Sequence, residues 1–354
     1  MKRVNIDNAN VDSLIIDEAV SVILKGGIVA IPTETVYGLA IDPSKEETLK
    51  RLYEIKQRSN DLPLSFALAS KESALNEYFS ILPPFGYRLL EKFWPGPLTI
   101  IYFDKAENKI GVRVPSDAVA NRILTKLNKA VFLTSANLSG SKDAVSGLEV
   151  ENIFDGKLDL IVDSGNTLYA KPSTIIDLTL NPFKVVRSGV ISEQEIVDVF
   201  IRKRILFVCT GNSCRSPMAQ FLLEKYLDET KPYLHGRHDI ISRGVATLNG
   251  MPASTHTADI LKEKESLDIS GFSSRRIDRQ VILSSDLIFT MEDAHTDYIL
   301  KFEPTAEGRV FALKKFLPAG LEKDIPDPIG RDISVYEEVY SLIKKAIIEL
   351  TGWL

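Results

Sequence analysis

The segment Cys209-Thr210-Gly211-Asn212-Ser213-Cys214-Arg215-Ser216 directly follows the apolar run Ile205-Leu206-Phe207-Val208, and Pro217 leads into a helix-forming stretch. A loop of this size after a buried strand can turn several backbone N–H groups inward, forming an anion nest that the positive end of the next helix reinforces. Ser216 is expected at the N-cap and Pro217 at the first helical position, where its missing N–H costs nothing. A thiol in that setting is expected as the thiolate, because nest amides, helix dipole and the Arg215 guanidinium all favour the charged form. Cys209 is then the nucleophile, and the planar fork of Arg215 holds two equatorial oxygens of a phosphoryl group. The chemistry is transfer of phosphorus to sulfur, then hydrolysis. The leaving group needs an acid, and Asp327 in Asp324-Ile325-Pro326-Asp327-Pro328-Ile329-Gly330, held between two prolines, is the candidate.

On these residues, with Ser216-Pro217-Met218-Ala219, Ser242-Arg243-Gly244-Val245 and the strand run Asp286 to Met291, residues 204–354 resemble a low-molecular-weight phosphotyrosine phosphatase-type domain. The resemblance implies a four-stranded parallel sheet flanked by helices, with Asp327 as acid and then base. It also implies that Asn212 braces the loop, that Ser216 hydrogen-bonds the thiolate, and that no cofactor is needed. Arsenate reductases with a similar loop use a further pair of cysteines, and residues 216–354 contain none. Tyrosine phosphatases of the family carry a bulky aliphatic residue where Ser213 stands, whereas protein arginine phosphatases carry a small hydroxyl residue. The implied substrate is a phosphorylated protein, with phosphoarginine preferred over phosphotyrosine.

In the first two hundred residues, helix-period segments such as Val11 to Lys25 alternate with β-branched runs, including Ile28 to Pro32 and Leu98 to Tyr102, so an α/β domain is expected. Thr33-Glu34-Thr35 is expected on a turn beside an opening helix, and Lys56-Gln57-Arg58 at a helix end. The segments around Arg113, Ser135 and Asn137, Pro172-Ser173-Thr174, and Arg187 each read as strand-then-loop. Four cations (Lys56, Arg58, Arg113, Arg187) at the rims of apolar strands are expensive without an anion to meet them, and a polyanionic ligand supplies one.

These segments resemble the YrdC-like domain of L-threonylcarbamoyl-AMP synthases over about residues 8–195, which implies a twisted mixed-sheet α/β fold. The resemblance implies that Lys56, Arg58, Ser135 and Asn137 contact the nucleotide phosphate and that Arg187 helps hold the adenylate. It places Thr33, Thr35 and Arg113 at the threonine site. The implied reaction takes L-threonine, bicarbonate and ATP, with Mg²⁺ on the ATP phosphates, and supplies tRNA modification, so tRNA or its modification enzymes are implied partners. Two departures stand out: Leu62 where many members have Lys, and Ala67 where some have His. An RNA-binding module without synthase activity is the alternative for this part.

At 354 residues, with 44% hydrophobic and 26% charged residues, the chain is long enough for two cores. The expected domains are residues 1–200 and 201–354, joined at a capping box, Ser192-Glu193-Gln194-Glu195, that opens a short helix. A net charge of −5 excludes a global polycation for nucleic acid. No run of eighteen apolar residues occurs and the two cysteines share one loop, so a cytoplasmic protein in a reducing compartment is expected. All four histidines lie beyond residue 200, and none is assigned a role.

Overall fold

Between Asp12 and Lys25 the apolar residues recur at helical spacing, and the helix Ser13–Leu24 buries Ile16, Ala19, Val20 and Ile23. The Asp12 side chain accepts from the Leu14 N–H at 2.8 Å, a cap that contributes about 1 kcal/mol. The same logic of periodicity and capping recurs throughout this computed structural model, which describes residues 1–59, 64–321 and 323–354. Leu62 lies outside the described residues.

The chain divides into two units, residues 1–82 with 88–197, and residues 83–87 with 198–354. In the first, the strands are β1 (Lys2–Asn5), β2 (Val29–Ile31), β3 (Gly38–Ile41), β4 (Ser65–Ala67) and β5 (Leu98–Phe103), followed by β6 (Lys109–Arg113), β7 (Val131–Ser135), β8 (Leu160–Asp163), β9 (Thr174–Asp177) and β10 (Lys184–Arg187). Among the described residues they form one mixed sheet in the order β1-β8-β2-β3-β7-β4-β6-β5-β9-β10. The sheet combines parallel pairs such as β1 with β8 and β5 with β9 and antiparallel ones such as β2 with β3 and β5 with β6. One apolar cluster packs Ile23 and Ile123 with Ile31, and another packs Leu52 and Phe154 with Leu39. The expectation of a helix opening after Thr35 is corrected: β3 follows and pairs back on β2, Ile31 opposite Gly38, so Thr33 to Val36 form the turn of a hairpin. Pro172 and Ser173 precede β9 rather than follow a strand, so that segment is loop-then-strand.

The Ser192 box forms as expected, with Ser192 N–H on Glu195 Oε2 at 2.9 Å and Glu195 N–H on Ser192 Oγ at 3.3 Å, opening the helix Glu193–Ile201. In the second unit β11 (Lys203–Cys209), β12 (His238–Gly244), β13 (Leu287–Thr290) and β14 (Val310–Ala312) make a four-stranded, wholly parallel sheet in the order β12-β11-β13-β14. Ile205 and Phe207 of β11 face one apolar cluster while Leu206 and Val208 face another, which explains the unbroken apolar run of a strand covered on both sides. The chain leaves β11 for β12 on one side and reaches β13 on the other. The loop after Cys209 therefore opens where strand order reverses, the place at which open α/β sheets bind ligands.

Candidate active sites

Cys209 ends β11, and the next helix, Arg215–Thr230, begins six residues later. Between them Asn212 turns the chain through a left-handed conformation, φ 50°. That turn aims its own N–H at Cys209 Sγ, 3.2 Å away, and the Ser216 hydroxyl lies 3.0 Å from the same sulfur. Asn212 is fully used: Nδ2 donates to Ser216 Oγ and to Ser242 Oγ, both at 2.9 Å, and Oδ1 accepts from the Arg275 N–H at 2.8 Å. Gly244 at the end of β12 permits the close approach, since a Cβ there would come within 2.8 Å of the Thr210 carbonyl oxygen.

Two expectations for this loop are corrected. The helix is capped at Cys214, two residues before the expected Ser216, because the Ser216 hydroxyl is spent on the sulfur and on Asn212; Pro217 still falls in the first turn, where no N–H is missed. The thiol is not acidified in this conformation. Burial pushes Cys209 up from its ordinary value, and Arg215, Ser216 and Asn212 act in the opposite direction without overcoming it.

Arg215 is 1% exposed and its charge is already met on two sides. NH1 donates to Glu292 Oε1 and, at 2.9 Å, to the Ile325 carbonyl. NH2 donates to Asp327 Oδ2 at 2.6 Å and to Thr210 Oγ1 at 3.2 Å. Its Nε is buried with no acceptor among the described residues. A phosphoryl oxygen is the acceptor such a group lacks, since an unmet buried donor costs about 1–3 kcal/mol. Asp327 thus stands with Arg215 across the loop, its Oδ1 accepting from the Ile329 N–H at 3.2 Å. Ser213 sends its hydroxyl to within 3.5 Å of Cys214 Sγ, and both cysteines are free and buried.

Glu292 and His295 escaped the sequence reading. His295 is buried, its Nε2 lies 3.0 Å from Thr210 Oγ1, and burial pushes its pKa down. The signal was register: β13 runs parallel to β11 with Thr290 beside Val208, so whatever follows Thr290 arrives beside the loop that follows Cys209.

In the first unit Thr33, Arg58, Arg113, Ser135 and Arg187 line one cavity of about 130 Å³, and Ala67 lines it too. Thr35, Lys56 and Asn137 are buried behind that lining. Lys56 Nζ donates to Ser135 O at 2.5 Å, Asn137 O at 2.8 Å and Asn137 Oδ1 at 3.1 Å, so it braces the loop that carries the two expected ligands. Burial, then the Arg58 charge, pull the Lys56 ammonium down to about 8. Arg187 holds Ser173 through its carbonyl (3.0 Å) and hydroxyl (2.9 Å), and Ser173 Oγ lies 3.0 Å from Thr99 Oγ1. Burial lowers the Arg187 pKa, Asp143 acts in the opposite direction, and the nearby Arg113 and Arg58 charges lower it further.

Arg113 donates to Glu34 Oε1 at 2.7 Å and Thr35 Oγ1 at 2.9 Å, and Glu34 Oε2 accepts from the Ser116 N–H at 3.1 Å. Glu34 orients the cation, a part the sequence reading did not give it. The Thr33 hydroxyl donates to the Val36 carbonyl at 2.6 Å and closes the hairpin turn. Among the described residues no group of three or more His, Cys, Asp or Glu could hold a metal ion, and no helix is long and apolar enough to cross a membrane.

Residues 21–189 match the Sua5/YciO/YrdC family, described as telomere recombination, and residues 204–354 match the low molecular weight phosphotyrosine protein phosphatase family. A threonylcarbamoyl-AMP synthase of Pyrococcus abyssi is 35% identical over 205 residues, which cover 55% of this chain and 60% of that protein. A candidate threonylcarbamoyl-AMP synthase of Methanocaldococcus jannaschii is 32% identical over 181 residues, 49% of this chain and 85% of its own length. The crystal structure of P. abyssi Sua5 complexed with L-threonine superposes with a TM-score of 0.54 at 27% identity, covering 65% of this chain and 78% of that one. The chain spans less than two thirds of the P. abyssi protein's length. With its mixed sheet and cation-lined cavity followed by a parallel sheet and Cys209 loop, the chain belongs to the Sua5/YciO/YrdC family and carries a low-molecular-weight phosphotyrosine phosphatase-type domain after it.

Proposed function

We propose that the two units carry separate enzyme activities, with the boundary in sequence near residue 200. Residues 1–200 make L-threonylcarbamoyl-AMP from L-threonine, bicarbonate and ATP for the threonylcarbamoyl modification of tRNA. The observation that carries this is the convergence of Arg58, Arg113 and Arg187 with Thr33 and Ser135 on one cavity. Arg113, oriented by Glu34, meets the threonine carboxylate, and Thr33 and Thr35 shape that end. Arg58, Ser135 and Arg187 meet the nucleotide, with Lys56 and Asn137 holding their loop from behind. Among the described residues no group of three His, Cys, Asp or Glu forms a cage for Mg²⁺, and Mg²⁺ would enter on the ATP phosphates and supply charge neutralisation there. Catalysis rests on positioning and charge, and no general base is named. Mass spectrometry of protein mixed with Mg-ATP, bicarbonate and threonine tests it: threonylcarbamoyl-AMP is expected, and its absence together with salt-sensitive RNA binding favours an RNA-binding module instead.

Residues 201–354 hydrolyse a phosphorylated protein in the cytoplasm. The carrying observation is the buried Arg215 Nε, without an acceptor, in the loop whose Asn212 N–H and Ser216 hydroxyl both point at Cys209 Sγ. A phosphoryl group that enters takes up Arg215 Nε and NH2 and frees Asp327; as the sulfur attacks phosphorus and the bond to the leaving group breaks, the Cys209 thiol proton passes by way of a phosphoryl oxygen to Asp327, which hands it to the leaving group. Asp327 then activates water against the phosphocysteine. The small Ser213 leaves room for a guanidinium, which favours phosphoarginine over phosphotyrosine. Turnover of phosphoarginine and phosphotyrosine peptides decides it, and equal or faster tyrosine turnover rejects the preference.

A further inference from the structure

A cavity of about 410 Å³ opens beside the Cys209 loop, between the helix Arg215–Thr230, β12 and residues 268–275. Its walls are Phe221 and Phe272, edge to face with centroids 6.1 Å apart, and two guanidiniums, Arg243 and Arg275, face it. Arg243 is half-buried and donates to the Ser242 carbonyl at 2.8 Å; no carboxylate among the described residues lies within ion-pair distance of it. Among the described residues three carboxylates lie nearby, and only Asp239 is neutralised by a cation. Asp239 is paired with Arg204 at 2.7 Å, Asp278 accepts from the Val281 N–H at 2.8 Å, and Asp268 at the rim accepts from the Ser270 N–H at 2.9 Å. Burial and the Arg275 charge lower the Arg243 pKa, and the more weakly acting Asp278 and Asp239 do not reverse it.

Both arginines adjoin the brace of the catalytic loop. The Arg275 backbone N–H donates to Asn212 Oδ1, and Ser242, next to Arg243, accepts from Asn212 Nδ2 while donating to Gln220 Oε1 at 2.7 Å. We propose that this cavity is a second binding site, for a small organic anion with an aromatic body, and that its occupancy tightens the oxyanion pocket around Cys209. The anion neutralises Arg243 and Arg275 together, the rings hold its flat body, and the two segments that grip Asn212 are drawn onto it. The effect on the oxyanion pocket rests on the phosphatase reading; the binding itself does not.

The test is calorimetry of the full chain with 1-naphthalenesulfonate, which no phosphatase hydrolyses, in the presence and absence of saturating orthovanadate. Binding persists with vanadate present, and Arg243→Gln and Arg275→Gln each weaken it about tenfold, the worth of one charged hydrogen bond. The sulfonate in turn tightens vanadate about fivefold or more, the usual scale of coupling between sites. Arg243→Gln leaves p-nitrophenyl phosphate turnover at the parent level, which shows that the fold is intact. No sulfonate binding, displacement by vanadate, or unchanged binding in both variants overturns the site. Unchanged vanadate affinity overturns the coupling. Failure of vanadate to bind at all rejects the phosphatase reading and leaves the sulfonate result standing.

Discussion

Arg215 NH2 and Asp327 Oδ2 lie 2.6 Å apart across 112 residues of sequence. The cation proposed to clamp phosphate and the acid proposed to protonate the leaving group are therefore partners before any substrate arrives. With Glu292 on NH1, two carboxylates meet the Arg215 charge, while burial holds the Cys209 thiol above its ordinary value. A phosphoryl group competes for the same donors, releases Asp327 to the leaving group, and leaves the acid within reach of it.

Asp327→Asn removes the proton donor and keeps the shape. Its kcat is expected to fall about 10²- to 10⁴-fold on substrates with poor leaving groups and far less on p-nitrophenyl phosphate. A uniform loss across leaving groups, measured as a Brønsted series, counts against its role as acid.

Asn212→Ala removes one partner from each of the Ser216 and Ser242 hydroxyls, which keep Cys209 Sγ and Gln220, and strands the Arg275 N–H. The expected loss is about 1–3 kcal/mol in stability by urea unfolding, together with a fall in kcat. Asn212→Gly separates backbone from side chain, since glycine accepts the positive φ freely. Parent-like behaviour of the glycine variant shows that the conformation, and not the hydrogen bonds, is what the loop needs.

Glu34→Ala strands a buried Arg113. Breaking a buried pair by removing one partner costs about 3–5 kcal/mol, and threonine binding is expected to disappear with the orientation of the guanidinium. Thermal unfolding and threonine calorimetry check both, and a stability change within about 0.5 kcal/mol, the scale of a surface substitution, refutes the account of Glu34.

Glu265 supplies the pH dependence. Burial alone would push its carboxyl up, but hydrogen bonds from Lys225, Lys344, Tyr340 and Tyr226 outweigh it and hold the pKa at about 2 against an ordinary 4.5. The charged form is favoured in the fold, so this stabilisation is complete above about pH 4.5 and is lost as pH falls through about 2, a few kcal/mol in all. Glu265→Gln should flatten the pH dependence of the urea midpoint below pH 5. An unchanged slope places the acid sensitivity elsewhere.

Much of the Cys209 loop was legible because its chemistry is local: strand, nest, helix and guanidinium fall within a dozen residues. Glu292 and His295 were not, because only the parallel register of β13 on β11 brings them to Thr210. In the first unit the cations were recognisable by type, and the cavity gathers Arg58, Arg113 and Arg187 as a shared ligand would require. Lys56 shows the limit. A lysine at a helix end looks like a free cation in sequence, yet three acceptors of one loop take all its hydrogens. The hairpin after Ile31 was missed for a similar reason, since Tyr37-Gly38-Leu39 has no periodicity long enough to distinguish strand from helix.

The most direct measurement is rapid-quench mass spectrometry of the Asp327→Asn protein mixed with p-nitrophenyl phosphate, with Cys209→Ser as control. A phosphorylated sulfur at residue 209 is predicted, and Cys209→Ser should bind vanadate yet turn over nothing. Sustained turnover by Cys209→Ser, or phosphate trapped on any other residue, would contradict the account.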